Sequence, residues 1–98
     1  SDTILCANDR IAIGAIRAAN KHGLFARSTD GHSGLRIAGH DDHPLSQYMF
    51  PAVTTVGQDI VGIGNTSVKV LVERILGEHD VEKSTSFEDS SLKVRESA

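Results

Sequence analysis

Two short apolar runs, each ending in polar, acid-bearing residues and separated by a helical pattern, constrain this chain more than any other feature. The first, Thr3-Ile-Leu-Cys-Ala7, closes at Asn8-Asp9, and the second, Leu35-Arg-Ile-Ala-Gly39, closes at His40-Asp41-Asp42. Runs this short, bounded by polar residues, read as buried strands rather than helices. Between them Ile11, Ala12, Ala15, Ile16 and Ala19 recur at helical spacing, while Arg10, Arg17, Asn20 and Lys21 face outward. Strand, helix, strand makes a βαβ unit. In open α/β sheets small molecules bind just outside the carboxyl ends of the strands, so the two acidic strand ends mark a candidate ligand site.

The helix is well punctuated. Asn8 or Asp9 can accept hydrogen bonds from the free amides of its first turn. Lys21 and His22 suit the negative end of its dipole, and Gly23 suits a left-handed residue just past it. Ala26 to Gly34 is small, polar and glycine-bearing, and predicts a surface loop of low order. Asp41 to Pro51 predicts irregular chain, and the β-branched run Ala52–Gly57 a third strand. A second helix is expected from Gln58 or Asp59 to about Leu76, with Ile60, Ile63, Ser67, Val68, Leu71 and Ile75 along one stripe and Gly77 as its stop. Gly62 and Gly64 inside it cost about 1 kcal/mol each against Ala, tolerable where another backbone packs closely. Glu78–Ser84 is a charged connection, and Phe87, Leu92 and Val94 suit one or two short strands.

Ninety-eight residues make one small domain at most. With four aromatics, its core must be mainly Ile, Val, Leu and Ala. A net charge of −3 lacks the basic footprint of a nucleic-acid-binding surface. No apolar run approaches the ~18 residues that cross a bilayer, so no membrane partner is expected. The start has no basic n-region and no initiator Met, which reads as a piece of something longer rather than a signal peptide. Cys6 is the only cysteine, so an intrachain disulfide is excluded; a reduced, buried thiol suits a cytoplasmic origin.

His40-Asp41-Asp42-His43 is the densest chemical cluster. Two imidazoles and two carboxylates could ligate a metal, but a contiguous run cannot wrap a tetrahedron alone. Acid–base catalysis lacks an accompanying nucleophile motif. The plainer functional reading makes Asp41 an acceptor for a polar small molecule, while Asp42 reads better as a turn-capping acid. Gly62-Ile-Gly-Asn-Thr-Ser67 lies inside a helical pattern and lacks the phosphate-loop spacing, so close packing explains it better. Gln58 and Asn8, at strand–helix junctions, are open to both capping and ligand roles. No catalytic residue, metal site or cofactor is expected.

Taken in order, several segments resemble the C-terminal part of LacI/GalR-family transcription regulators. They are Ile4–Ala19, Lys21-His-Gly-Leu24, Arg36-Ile-Ala-Gly-His-Asp-Asp42, Phe50-Pro-Ala-Val-Thr-Thr-Val-Gly-Gln-Asp59 and Leu92-Lys-Val-Arg-Glu-Ser97. The Pro-Ala-Val-Thr-Thr-Val-x-Gln segment and the Val-Arg-Glu-Ser ending favour the repressors over periplasmic sugar-binding transport proteins. The resemblance implies an α/β, periplasmic-binding-protein-like (type I) Rossmann-like sandwich with two main helices and mainly parallel strands. Residues 3–51 would belong to one lobe, 52–80 would cross to the other, and 81–98 would cross back. It implies that Asn8, Asp41 and Gln58 line an effector pocket, with His40 standing where family members usually carry an aromatic and replacing stacking by polar contact. The implied partners are a sugar-like small-molecule effector, a second copy of the chain through the first helix, and operator DNA only through a helix-turn-helix that these residues do not contain. A chain holding part of each lobe should also expose unpaired edges and apolar faces that invite self-association. Two other functions stay open: a fragment of a periplasmic sugar-binding transport protein, and a metal-dependent hydrolase centred on His40–His43.

Overall fold

The computed structural model describes residues 2–25, 34–77 and 90–98. All of the loop expected over Ala26–Gly34 except Gly34, the connection 78–84 and Phe87 lie outside the described residues. The elements run β1 (Thr3–Leu5), α1 (Asp9–Lys21), β2 (Arg36–Ala38), a 3-10 turn (Ser46–Tyr48), β3 (Thr55–Gln58), α2 (Ile60–Ile75) and β4 (Ser90–Lys93). This is the expected α/β order, with shorter strands than the apolar runs suggest. Strand pairing ends where the chain turns toward the helix, so Cys6 and Ala7 continue the apolar run without remaining in β1. The 3-10 turn interrupts the stretch expected to be irregular; its residues carry no helical period that would announce it.

β1 and β2 pair in parallel, Thr3 opposite Arg36, Ile4 opposite Ile37 and Leu5 opposite Ala38. The third strand begins later than the β-branched run does. Thr54 meets Ala38 in a single parallel bridge, and β3 proper starts at Thr55 and pairs with β4. Ala52 and Val53 are occupied otherwise: Ala52 N donates to Glu96 Oε1 at 3.2 Å and Val53 N to Ser46 O at 2.9 Å. The closing segment therefore does structural work. Ser97 Oγ donates to Ile37 O at 2.6 Å and accepts from Thr54 N at 2.8 Å, while Ser97 O accepts from Ile37 N at 2.7 Å. A buried serine here satisfies backbone groups that the short ladder leaves open.

Contacts divide the chain into two units, Ser1–Gly57 with Ser91–Ala98, and Gln58–Ser90. The first holds the core: Cys6, Ala12, Ile16, Ala19, Ile37 and Val53, with Ile13, Ala15, Phe25, Leu35 and Met49 packed against it. Of the residues that the 3.6-residue period of α1 selects, Ala12, Ile16 and Ala19 are buried and Ala15 packs against the core, whereas Ile11 is exposed, against the expectation. Burial pushes the Cys6 thiol above its ordinary value, as a desolvated thiolate would be unfavourable. α1 ends as its sequence implies, with His22 at the cap and Gly23 at φ +65°.

In the second unit, Asp59 caps α2 by accepting from Gly62 N at 3.0 Å. A Cβ on Gly62 would overlap the Asp59 carboxylate, so this glycine admits the cap. Gly64 has open space around it, against the expectation of a close backbone neighbour. No residue of α2 is buried. Its stripe is apolar by pattern yet solvent-facing, with Ile60, Val68, Leu71 and Ile75 all exposed. No described helix is long and apolar enough to cross a membrane.

Candidate functional site

The carboxyl end of β2 is where the first unit gathers its polar side chains. After Ala38 the backbone continues to pair: Gly39 N donates to Thr54 O at 2.8 Å and Asp41 N to Val56 O at 2.9 Å. Asp9 N donates to His40 O at 2.9 Å, which ties the start of α1 to the same turn. Asp41 and Asp42 then adopt positive φ values of 100° and 50°. Aspartate tolerates this region better than most residues, but φ near +100° is strained for any side chain with a Cβ. Residues kept in such conformations by surrounding hydrogen bonds concentrate at ligand sites and switches.

The strained pair divides its labour. Asp41 is exposed, and its Oδ1 lies 2.9 Å from His40 Nδ1. An ionised carboxylate only accepts, so His40 Nδ1 carries the proton of that bond. Among the described residues no hydrogen bond engages the other Asp41 oxygen. Asp42 is held instead: Arg95 Nη2 lies 2.8 Å from its Oδ1, and its backbone N donates to Thr55 Oγ1 at 3.3 Å. Arg95 is fixed in turn by Nη1 donating to Val53 O at 3.0 Å. Asp42 is thus the ion-paired member of the two, and Asp41 the exposed one. His43 takes neither role, since its Nδ1 accepts from Leu45 N at 3.1 Å. Among the described residues no three His, Cys, Asp or Glu side chains gather as a metal-ligand set.

Asn8 caps α1, its Oδ1 accepting from Ile11 N at 3.0 Å. That leaves its amide nitrogen without a hydrogen bond among the described residues, at the end of α1 next to the His40 turn. Gln58 closes β3 and is exposed; it belongs to the second unit. Asn8, His40 and Asp41 are thus brought to one edge of the first unit, while Gln58 stands at the start of the second.

Asn8 does the capping, and Asp9, the first helical residue, is almost wholly buried. Its Oδ2 accepts from His43 N at 2.8 Å and Ser46 Oγ at 2.5 Å, and its Oδ1 from Thr55 Oγ1 at 2.6 Å. A buried carboxylate is tolerated only when hydrogen-bonded, and three donors on two oxygens meet that need. Gly39 belongs to the arrangement, because a Cβ there would overlap Asp9 Oδ1. An acid at a helix start, a glycine after a strand and a pair of threonines in an apolar strand are visible signals. Nothing in the sequence links them to Ser46 or Arg95.

A cavity of about 570 Å³ opens elsewhere in the first unit, lined by Asn20, Phe25, Leu35, Phe50, Pro51 and Glu96 among others. It lies at the amino end of β2 and the carboxyl end of α1. Its size does not make it the site, since the strained and acidic groups sit at the other end of the strand.

Residues 2–98 match the family described as a periplasmic binding protein-like domain. A transcriptional regulator, MalR of Streptomyces coelicolor, is 38% identical over 74 residues, covering 76% of this chain and 20% of that protein. The chain belongs to the LacI/GalR family. It spans about a fifth to a quarter of the length of the curated relatives it matches, including the ribose operon repressor of Haemophilus influenzae, 30% identical over 94 residues, or 96% of the chain and 26% of the relative. Among solved structures, the Lac repressor dimer bound to operator and the anti-inducer ONPF superposes with a TM-score of 0.77 at 32% identity, covering 98% of this chain and 31% of that one. This LacI/GalR-family chain therefore has the periplasmic-binding-protein-like fold.

Proposed function

We propose that the carboxyl edge of β2 is one wall of an effector pocket, in which Asp41 accepts hydrogen bonds from the hydroxyls of a sugar-like ligand. The observation that carries this reading is Asp41 itself: a strained, exposed acid whose backbone is pinned to β3 and whose second oxygen has no hydrogen bond among the described residues. A carboxylate suits sugar recognition because each oxygen can accept from a hydroxyl. His40 orients it, and the Asn8 amide and Gln58 supply groups that donate and accept. The relatives support the ligand class: a CelR regulator with a TM-score of 0.78 and 28% identity, covering 99% of this chain and 28% of that one, was solved as its cellobiose complex.

In this reading residues 3–51 serve one lobe, 52–80 cross to the other and 81–98 return. Effector binding shifts the balance between two arrangements of a dimeric repressor by binding one more tightly than the other. Operator DNA is contacted by a domain outside these residues, in keeping with the net charge of −3. The protein acts as a regulator and not as an enzyme, in the cytoplasm where its operator lies. The test is a thermal-shift screen of the intact regulator against pentoses, hexoses and disaccharides, followed by calorimetry on the strongest hit. Asp41→Ala should weaken that sugar at least tenfold while leaving the unliganded melting temperature within a few degrees. Unchanged affinity in Asp41→Ala would overturn the assignment.

A further inference from the structure

The Thr55 hydroxyl stands at the junction of the two features that hold the proposed effector turn. It is buried on β3, 1% exposed, and has one proton and two lone pairs. The proton goes to Asp9 Oδ1 at 2.6 Å, because the carboxylate can only accept. With the rotor set that way, a lone pair remains for Asp42 N, which donates to it at 3.3 Å. The direction of the whole chain follows: the charge on Asp9 orients Thr55, and Thr55 orients the peptide between Asp41 and Asp42.

That peptide joins the two residues with positive φ. Asp9 also accepts from His43 N on the far side of the pair, and Val56 O accepts from Asp41 N on the near side. The strained turn is thus gripped at three successive amides, 41, 42 and 43. The middle grip is the longest and the only one made by a side-chain hydroxyl. We propose that Thr55 is a positioning residue for effector binding: oriented by Asp9, its hydroxyl holds the Asp42 amide and so keeps the Asp41 carboxylate aimed at its ligand. The proposal rests on Asp41 being the effector contact, and touches no ligand itself.

The experiment compares Thr55→Val, which keeps the shape and removes the hydroxyl, with Thr55→Ser, which restores it, in the intact regulator. Hydrogen exchange is read at residues 41–43, with the amides of Ile37 and Ser97 as references, since these bond elsewhere in the same unit. Thr55→Val should speed exchange at Asp42 at least tenfold with the references unchanged, and Thr55→Ser should bring it back to within threefold of the natural protein. Thr55→Ala gives the same reading should the valine variant lose its fold. Equal acceleration at all positions would mean a merely structural role and would overturn the proposal, as would no change at Asp42. Affinity for the sugar that most raises the natural protein's melting temperature should fall at least tenfold in Thr55→Val and recover in Thr55→Ser. If no sugar in the screen binds the natural protein, the effector reading fails, while the exchange pattern still decides whether Thr55 holds the turn.

Discussion

α1 and α2 are both amphipathic by sequence, both capped by an Asx side chain and both stopped by a glycine in the left-handed region, yet only α1 has fully buried residues. α1 places Ala12, Ile16 and Ala19 against Cys6, Ile37 and Val53. α2 has a longer apolar stripe and no buried residue. Local chemistry thus suffices to make a helix start and stop, but burial depends on what the rest of the chain brings opposite. The turn beside the start of α1 is held by a packed core and a buried acid.

The largest effect should come from breaking the anchor that distinguishes the first region. Asp9→Ala strands three donors, His43 N, Ser46 Oγ and Thr55 Oγ1. Each buried donor left unsatisfied costs about 1–3 kcal/mol, together enough to unfold many small domains, and urea denaturation would measure it. The core comparison is next. Ile16→Ala should cost about 2–5 kcal/mol, the ordinary price of a cavity at a wholly buried site. Leu71→Ala, on an exposed stripe, should change the stability of the 98-residue chain by no more than about 0.5 kcal/mol. Equal losses would show that α2 is covered in solution, by another copy of the chain for example, and sedimentation would then identify the cover.

The smallest effect is electrostatic. Arg36 holds the Asp2 carboxyl below its ordinary value through hydrogen bonds of 3.0 Å to both oxygens. A lowered folded-state value adds stability above the ordinary carboxylate range, and this is lost as pH falls through the lowered value. The pair is solvent-exposed and screened, so its worth is slight. A carbon-detected titration of Asp2 should show a midpoint below the ordinary carboxylate value, returning to it in Arg36→Gln. An ordinary midpoint with Arg36 intact would show that the pair does not persist in solution.

The legible parts of this molecule were those set by near neighbours in sequence. The period of Ala12, Ile16 and Ala19, the Asn8 cap, Gly23 and the acidic end of β2 all speak through residues a turn or two apart. The burial of Asp9 was not legible, because its donors come from 34 to 46 residues away. Nor could the pattern reveal Arg95 as the partner of Asp42, since that pairing depends on how the closing segment passes β2 and β3. The strand lengths were overestimated for a related reason. Apolar residues mark burial, and Ala52 and Val53 are buried while pairing with the closing segment and the 3-10 turn instead of a ladder.

The central claim is that Asp41 touches the effector while its neighbours serve to hold it. A crystal structure of the intact regulator with the strongest-binding sugar from the thermal-shift screen tests this most directly. The account predicts a sugar hydroxyl within hydrogen-bond distance of Asp41, with Asp42 still paired to Arg95 and Asp9 still dry. A sugar bound away from the carboxyl end of β2, with Asp41 facing solvent, would contradict it.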